Sequence, residues 1–207
     1  MKILALDTAT ESCSAALLLD GRTLASEQLL EHGHAQCLLP MIDALLVDAG
    51  VALGALDAIA FGRGPGAFTG VRLAASVTQG LAFAAGLGVV PVSNLRALAQ
   101  RALTGAPGEG GESAALVLAC TDARMREVYW GCYERAGELA VPVGEERVGD
   151  PGAVTLPAAW GSNDRPGPGP APAAGGGMQG VGSGFSAYPQ LRAALGSRLG
   201  RILAELR

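Results

Sequence analysis

The stretch of sequence that decides the fold is Gly64-Pro65-Gly66-Ala67-Phe68-Thr69-Gly70-Val71-Arg72. It joins an apolar run, Ala58 to Gly62, to a long alanine-rich segment, Leu73 to Ala85. Glycines in so short a connection permit positive φ angles and close approach of two backbones. Pro65 fixes one φ angle, and Thr69 is predicted to cap the following helix. The pattern predicts a strand, a tight loop and a helix, as in open α/β sheets.

This glycine loop allows two interpretations. Free N–H groups at a helix N-terminus can cradle an anion or the phosphate of a nucleotide. The structural alternative is a tight connection that packs the helix against the sheet, and local chemistry favours it because glycine-rich turns are common in open α/β folds. No lysine follows the glycines, so the Walker pattern G-x-x-x-x-G-K-[ST] is absent.

The composition indicates a folded protein without a broad basic surface. Of the 207 residues, 49% are hydrophobic and only 16% are charged, which is typical of one large domain or two small lobes. A net charge of −4 argues against a protein that binds nucleic acid alone. No signal peptide or membrane span is recognised, so a cytoplasmic protein is expected. The cysteines form no C-x-x-C pair and lie in or beside apolar runs, which favours reduced thiols: Cys13, Cys37, Cys120 and Cys132.

The first half of the chain reads as βββαβαβα. Asp20-Gly21 lies between two alternating runs and predicts a type I′ hairpin turn. A helix is predicted from Gln36 to Ala49, where apolar residues recur with a helical period. The remaining predicted strands and helices are Lys2–Leu6, Ser12–Leu19, Arg22–Leu30, Leu56–Gly62, the helix after the glycine loop, Gly88–Ser93 and the helix Asn94–Leu103.

A polar Gly/Pro segment divides the chain into two predicted lobes. Residues 1–104 form the N-terminal lobe, 105–112 the linker and 113–207 the C-terminal lobe, with a low-complexity flexible loop at 163–177. The second lobe repeats the strand-rich beginning of the first with fewer predicted helices. Its predicted elements are strands Ser113–Cys120, Glu127–Glu134 and Leu139–Val148, a short strand ending at Gly180–Gly182, and a helix Tyr188–Leu206.

Few polar residues have the spacing of a catalytic or metal site. His32 and His34 lie two apart, whereas a helical metal pair needs a spacing of three or four, so surface or capping roles are preferred. Asp7-Thr8 follows the first strand. Threonine hydroxyls there can hydrogen-bond to backbone groups of the turn, which is a structural role rather than a catalytic one. The cluster Asp122, Arg124, Arg126 and Glu127 is either a functional turn or the charged tip of a hairpin.

Several of these segments together resemble the TsaB (YeaZ) family. They are Asp7-Thr8-Ala9-Thr10, His34-x-x-x-Leu38-Leu39-Pro40, the glycine loop, Asp122-Ala123-Arg124-x-x-Glu127-Val128-Tyr129 and Gly182-Ser183-Gly184. The resemblance is dense over residues 1–136 and loose over 178–206. It implies an α/β protein with the duplicated actin-like ATPase fold (ASKHA, ribonuclease H-like) in two lobes. The family usually continues past a position matching Arg207, so the second lobe is expected to be shortened.

The resemblance implies a binding role in making threonylcarbamoyladenosine in tRNA. The related transferase TsaD holds a metal with an H-x-x-x-H pair, and the matching positions here are Asn94 and Leu98. No metal, cofactor or catalytic residue is therefore expected. The implied partners are TsaD in a heterodimer and the ATPase TsaE in a ternary complex, with a homodimer when alone and tRNA contacted only through the complex.

Competing hypotheses remain. An ATP-binding ATPase or phosphotransferase would use a vestigial nucleotide cleft at Asp7, Thr8, Asp122 and Gly182. A metallopeptidase is the third hypothesis and lacks recognisable ligands.

The family pairs with TsaD through two helices of the first lobe. The matching residues predicted for this interface are Leu38, Met41, Ile42, Leu45, Ala74, Val77 and Leu81. The family-signature residues of the glycine loop are predicted to set the entry angle of the second helix: Gly64, Pro65, Gly66, Phe68, Thr69, Gly70 and Arg72.

Overall fold

A five-stranded sheet organises the first part of the chain in the computed structural model, which describes residues 1–104, 115–160 and 178–205. The chain divides into two compact units, Met1–Asn94 and Leu95–Arg207. In the first unit the strands are β1 (Lys2–Asp7), β2 (Ser12–Leu19), β3 (Arg22–Leu29), β4 (Ala58–Gly62) and β5 (Gly88–Val92), in the order β3-β2-β1-β4-β5. Strands β1 to β3 form an antiparallel meander, whereas β4 pairs parallel with β1 and β5 parallel with β4.

Local sequence signals account for most of this unit. The β2–β3 hairpin turns at Asp20 and Gly21 with φ angles of 48° and 90°, which confirms the predicted type I′ turn. Helix α1 (His34–Ala49) connects β3 to β4, and α2 (Phe68–Ala85) connects β4 to β5. The cap prediction was wrong: α2 begins after Ala67 with no side-chain cap, and Thr69 is an exposed residue of its first turn.

Both helices pack on one apolar face of the sheet. Alternate residues of β1 and β2, such as Leu4 and Leu17, lie in one cluster with buried side chains of α1 and α2. Ile59 of β4 lies in the same apolar cluster. Because successive strand residues point to opposite faces, this alternation fixes which side of the sheet the helices cover.

The second unit repeats this topology. Its strands are β6 (Leu116–Arg124), β7 (Glu127–Ala136), β8 (Leu139–Pro142), β9 (Arg147–Gly149), β10 (Met178–Val181) and β11 (Leu199–Leu203), in the order β11-β10-β6-β7-β8, with β9 also paired to β7. Again an antiparallel meander, β6 to β8, is followed by two strands parallel to its first member. The predicted duplication is therefore present in the strand order.

The predicted helix Tyr188–Leu206 was wrong. After α4 (Gly184–Ala187), helix α5 (Gln190–Leu195) ends at Gly196, whose φ of 54° leaves the helical region. The chain then forms β11, which pairs with β10 in parallel from Met178↔Leu199 to Val181↔Leu203. The leucines spaced by four that suggested one helix face are thus shared between a short helix and a strand. The predicted strand Leu139–Val148 is likewise divided into β8 and β9.

Helix α3 (Asn94–Thr104) lies almost wholly in the second unit, not in the first lobe to which the sequence assigned it. Its buried side chains, including Leu95 and Leu103, pack with Val117 of β6 and Tyr133 of β7. The boundary between the units is consequently at Asn94, ahead of the predicted linker. That linker, 105–112, and the predicted flexible loop, 163–177, lie outside the described residues.

Candidate functional site

The glycine loop packs directly on the turn between β1 and β2. A Cβ atom added at Gly70 would lie 1.8 Å from the carbonyl oxygen of Thr8, so only glycine fits there. The Thr8 hydroxyl donates to the carbonyl of Gly70 at 2.6 Å, and the N–H of Ala67 donates to the carbonyl of Ala9 at 2.7 Å. The start of α2 is therefore joined to this turn on both sides.

Asp7 and Asn94 close the loop from the other end. The Asp7 carboxylate accepts from the N–H of Ala9 at 2.8 Å and from the side-chain amide of Asn94 at 2.5 Å. The amide oxygen of Asn94 accepts from the N–H of Gly64 at 2.8 Å. Burial raises the pKa of Asp7, while the bonds from Ala9 and Asn94 oppose that shift.

These contacts favour the packing interpretation of the loop over a phosphate cradle. The N–H groups of Gly64 and Ala67 already donate to protein acceptors. The helix N-terminus also faces the carbonyl oxygens of Thr8 and Ala9 at close range, and carbonyl oxygens would repel an anion.

The residues at the metal positions of the related transferase do not fit a metal. The Asn94 amide is bonded to Asp7 and Gly64, and Leu98 is only 7% exposed within an apolar core. In residues 1–104, 115–160 and 178–205, no group of three His, Cys, Asp or Glu side chains is placed to hold a metal ion. His34 instead donates from Nε2 to the carbonyl of Thr10 at 3.0 Å and so joins the start of α1 to the same turn, while His32 is exposed.

The second unit carries a corresponding aspartate, Asp122, near the end of β6. The Asp122 carboxylate accepts from the N–H of Arg124 at 2.9 Å and from the hydroxyl of Tyr188 at 3.0 Å. The N–H of Asp122 donates to the hydroxyl of Ser183 at 3.2 Å. Desolvation and the bond to Asp122 raise the pKa of Tyr188.

A second glycine turn packs against this strand end. Gly182 has a φ of 105°, and a Cβ there would lie 2.5 Å from the carbonyl oxygen of Cys120. A Cβ at Gly184 would lie 2.6 Å from the Cys120 sulphur. Of the residues predicted for a vestigial cleft, the structure therefore brings Asp7 beside Thr8 in one unit and Asp122 beside the Gly182 turn in the other.

The β6–β7 hairpin ends in an unusual turn that sequence reasoning missed. Arg124, Met125 and Arg126 have φ angles of 65°, 49° and 66°, in the region that favours glycine. Two central residues with positive φ correspond to the type I′ arrangement that Asp20-Gly21 adopts. Of the two alternatives for this cluster, the structure shows the charged tip of a hairpin. The dipeptide Met125-Arg126 carries no sequence signal for a turn with positive φ angles, so this backbone conformation could not be predicted.

Most of the predicted interface residues are not at the surface. Leu38, Met41, Ile42, Leu45 and Ala74 are all buried in the core, and Val77 and Leu81 are half-buried against it. The residues at i, i+3, i+4 and i+7 in α1 face the sheet because that is the side on which the strands supply apolar contacts.

The outward faces of α1 and α2 carry a different apolar set. Leu39 and Val47 of α1 are 50% and 70% exposed, and Phe83 of α2 is 91% exposed. Phe68, at the start of α2, is exposed and stacks under the guanidinium of Arg72, 3.7 Å from its ring centre. These four residues are the large apolar side chains that α1 and α2 leave exposed.

The described structure contains four free cysteines, and three of them are buried. Burial raises the pKa of Cys120 to about 12 and that of Cys132 to about 11. Burial also raises the pKa of the Cys13 thiol. Such thiols are poor nucleophiles because little thiolate forms at neutral pH.

The architecture defines the class of protein. A meander followed by two parallel strands, present twice, with an aspartate at or near the end of each first strand, is the duplicated actin-like fold. The family model described as "TsaD: tRNA N6-adenosine threonylcarbamoyltransferase" matches residues 27–173. Relatives of similar sequence specify the family within this class.

These relatives include curated proteins and a solved structure. TsaB of Haemophilus influenzae, a "tRNA threonylcarbamoyladenosine biosynthesis protein", is 49% identical over 130 residues, which are 63% of this chain and 52% of that protein. TsaB of Escherichia coli K12 is 47% identical over 146 residues, 70% of this chain and 60% of that protein. The chain thus spans little more than half the length of these two relatives. YeaZ of Pseudomonas aeruginosa superimposes with a TM-score of 0.81 at 44% identity, covering 99% of this chain and 84% of that one. The chain therefore belongs to the TsaB (YeaZ) family.

No helix among the described residues combines the length and apolar composition needed to cross a membrane.

Proposed function

We propose that this protein is a non-catalytic partner that binds and stabilises a TsaD-type transferase during synthesis of threonylcarbamoyladenosine in tRNA. The observation that carries the proposal is the state of the two metal positions. The side-chain amide of Asn94 donates a hydrogen bond to Asp7 and accepts one from the N–H of Gly64, and Leu98 is an apolar core residue. Related proteins of similar sequence are named for this biosynthesis, which supports the assignment to the same process.

The outward face of the α1–α2 layer is the proposed surface for TsaD. Leu39, Val47 and Phe83 would supply apolar contacts there. Gly80 of α2 is exposed, and a Cβ at this position would meet no atom within 4 Å. A glycine in an exposed helix interior lowers helix stability, but it lets a partner helix approach closely.

The wider assembly follows from the same proposal. The complex would act in the cytoplasm, with a TsaE-type ATPase as a third component, and tRNA would be reached through the assembled complex. When TsaD is absent, the exposed apolar face would favour a homodimer.

Reconstitution tests the proposal. The full chain is mixed with TsaD, the mass of the complex is measured by light scattering, and tRNA modification is then assayed with and without the chain. We expect a stable complex and a modification rate that depends on it. Equal modification without this chain would overturn the proposal. Micromolar binding of Mg-ATP to the isolated chain would instead favour the ATPase hypothesis.

A matched pair of variants tests the surface. Phe83→Glu on α2 should weaken the complex strongly, because it introduces a charge at an apolar contact. Val148→Glu on β9 replaces an apolar side chain that is also exposed, but in the other unit, and should leave the affinity unchanged.

A further inference from the structure

We propose that Cys13 and Cys37 form a disulfide when the protein meets hydrogen peroxide, and that this bond fastens helix α1 to strand β2. They are the two cysteines of the first unit, and Cys120 and Cys132 lie in the second. The inference does not rest on the proposed function, because the reaction needs only this chain and the peroxide.

Cys13 lies where β2 meets the start of α1. It shares the helix-covered face of the sheet with Leu17 and is fully buried in the apolar cluster of the first unit. Its thiol donates to the carbonyl oxygen of His34, the first residue of α1, with a sulphur–oxygen distance of 3.9 Å. His34 also bonds through Nε2 to the carbonyl of Thr10 at 3.0 Å. The first turn of α1 is therefore held close to the beginning of β2.

Cys37 lies one helical turn beyond this contact. Residues three apart in an α-helix are neighbours on its surface, so Cys37 is next to His34. Cys37 packs against the same apolar cluster that contains Cys13, but it is only half-buried. One thiol of the pair is thus in the core, and the residue that carries the other is partly exposed to solvent.

The electrostatics of Cys13 support a short separation between the two thiols. Burial raises the pKa of Cys13 most, the charge of a Cys37 thiolate raises it further, and the Asp7 carboxylate contributes less. Asp7 is on the neighbouring strand, paired with Ser14, the residue next to Cys13. Because the interaction between two charges weakens with distance, an effect of Cys37 that exceeds that of Asp7 requires the thiols to be close.

The cysteines of the second unit do not have this arrangement. Cys120 pairs with Trp130 across β6 and β7, whereas Cys132 pairs with Leu118, so the two cysteines are diagonal neighbours on one face. Diagonal side chains of adjacent strands are separated by about 7 Å, and a disulfide needs its Cβ atoms about 4 Å apart. Both thiols are also buried, which raises their pKa to about 12 and about 11. Cys120 and Cys132 therefore serve as internal controls.

The reaction has two steps. In the first, the Cys37 thiolate attacks the peroxide, its O–O bond breaks, and one oxygen passes to sulphur as a sulfenic acid while the other leaves as hydroxide and is protonated to water. In the second, the Cys13 thiol loses its proton and its sulphur attacks the Cys37 sulphur. The S–O bond breaks as the S–S bond forms, and the hydroxide released takes up that proton. Two thiols and one peroxide thus give one disulfide and two waters.

The sequence makes this disulfide easy to identify. Trypsin, which cleaves after Lys and Arg, places the cysteines on four different peptides: Cys13 on 3–22, Cys37 on 23–63, Cys120 on 102–124 and Cys132 on 127–135. The reduced full chain is treated with a small excess of hydrogen peroxide at low protein concentration, the remaining thiols are alkylated, and the tryptic peptides are analysed by mass spectrometry without reduction. We expect peptides 3–22 and 23–63 to be joined, and dithiothreitol to separate them.

Two variants and a thermal measurement complete the experiment. Cys37→Ser should abolish the linkage, whereas Cys132→Ala, which removes a cysteine of the second unit, should leave its yield unchanged. The oxidised wild type should unfold about 5–10 °C higher than the reduced protein, because the bond restricts the unfolded chain. Peroxide treatment should give no such rise in Cys37→Ser.

Several outcomes would overturn the inference. One is a linkage of Cys120 to Cys132 instead, and another is a dimer joined through Cys37 or a Cys37 found only as sulfinic acid. A yield no higher in buffer than in urea would mean that the native fold does not bring the thiols together. A linkage that lowers the unfolding temperature would mean that the bond does not fit the native packing. None of these results bears on the proposed function, which reconstitution with TsaD tests separately.

Discussion

The turns that begin at Asp7 of β1 and at Asp122 of β6 hold corresponding positions in the two copies of the fold, but their surroundings differ. Both begin with an aspartate that accepts the N–H of the residue two positions on, Ala9 in one and Arg124 in the other. The first turn is covered by the glycine loop, and the pKa of Asp7 is raised by burial. The second leads to an exposed tip in which Met125 is 92% exposed.

The difference shows how a duplicated frame can keep its geometry while its surroundings change. A glycine loop packs against the strand end in both units, at Gly70 over Thr8 and at Gly182 over Cys120. Only the residues beyond that contact differ. The comparison therefore separates the glycine packing that both units share from the exposed residues that differ between them.

The largest effect should come from the covered turn. Gly70→Ala places a Cβ 1.8 Å from a backbone oxygen, and the backbone must move to admit it. We expect a loss of about 3 kcal/mol or more in the free energy of unfolding, measured by urea denaturation with circular dichroism. Gly80→Ala in the same helix is the control and should add about 0.5–1 kcal/mol, since a Cβ there meets no atom. Equal stability of the two variants would contradict the close packing of the loop.

The next effect compares the side chains that complete each turn. Asn94→Ala leaves the Asp7 carboxylate and the Gly64 N–H without their partner, at a cost of about 1–3 kcal/mol. Tyr188→Phe removes one hydrogen bond that the half-buried Asp122 accepts and should cost less than Asn94→Ala does, because Tyr188 itself is accessible to water. Thermal unfolding of both variants measures the difference. A larger loss for Tyr188→Phe would mean that the second turn is the more tightly closed.

A smaller effect compares the two hairpins. Gly21→Ala puts a side chain on a residue with φ of 90° and should cost about 1 kcal/mol. Arg126→Gly removes one from a residue with φ of 66° and should gain a similar amount, about 1 kcal/mol. Chemical denaturation of the two single variants checks the opposite signs. A loss of stability in Arg126→Gly would show that its side chain contributes more to folding than its backbone costs.

The smallest effect is a pH dependence. Because burial raises the pKa of Asp7, the folded state keeps a proton in a window where the unfolded state has lost it. The contribution of this group to stability therefore falls as pH rises through that window, above about pH 4, and is constant beyond it. The unfolding free energy of Asp7→Asn minus that of the wild type should rise across the same window.

Asp20→Asn provides a control of opposite sign for that titration. The N-terminal ammonium lowers the pKa of Asp20, so its contribution is present at neutral pH and is lost as pH falls. A difference for Asp7→Asn that does not change with pH would mean that Asp7 keeps its ordinary pKa.

The sequence predicted the first unit well because its signals are local. The alternation in β2 and β3 and the Asp20-Gly21 turn are adjacent in the chain, so they need no distant partner to be recognised. The strand β11 was missed because its pairing depends on β10, and its leucine spacing also fits a helix. Non-local pairing of this kind leaves no signal in a short window of sequence.

The candidate site was predicted in part, for a similar reason. The motif residues Asp7 and Gly70 were found, but their contact through the Thr8 turn joins segments far apart in the chain. The apolar residues of α1 exceed one helix face, and sequence alone could not say which side the sheet would cover. The structure assigns Ile42 to the core and Val47 to the surface.

The parallel pairing of β10 with β6 affects how the family can vary. The two strands are joined through β7, β8, β9 and a long connection, so the pair forms only when a large loop closes. The entropy of closing a loop grows with the logarithm of its length, and doubling that length costs only about 0.6 kcal/mol. By this entropy alone, a longer or shorter connection between β9 and β10 changes the stability of the β10–β6 pair only slightly, so relatives can differ in length there.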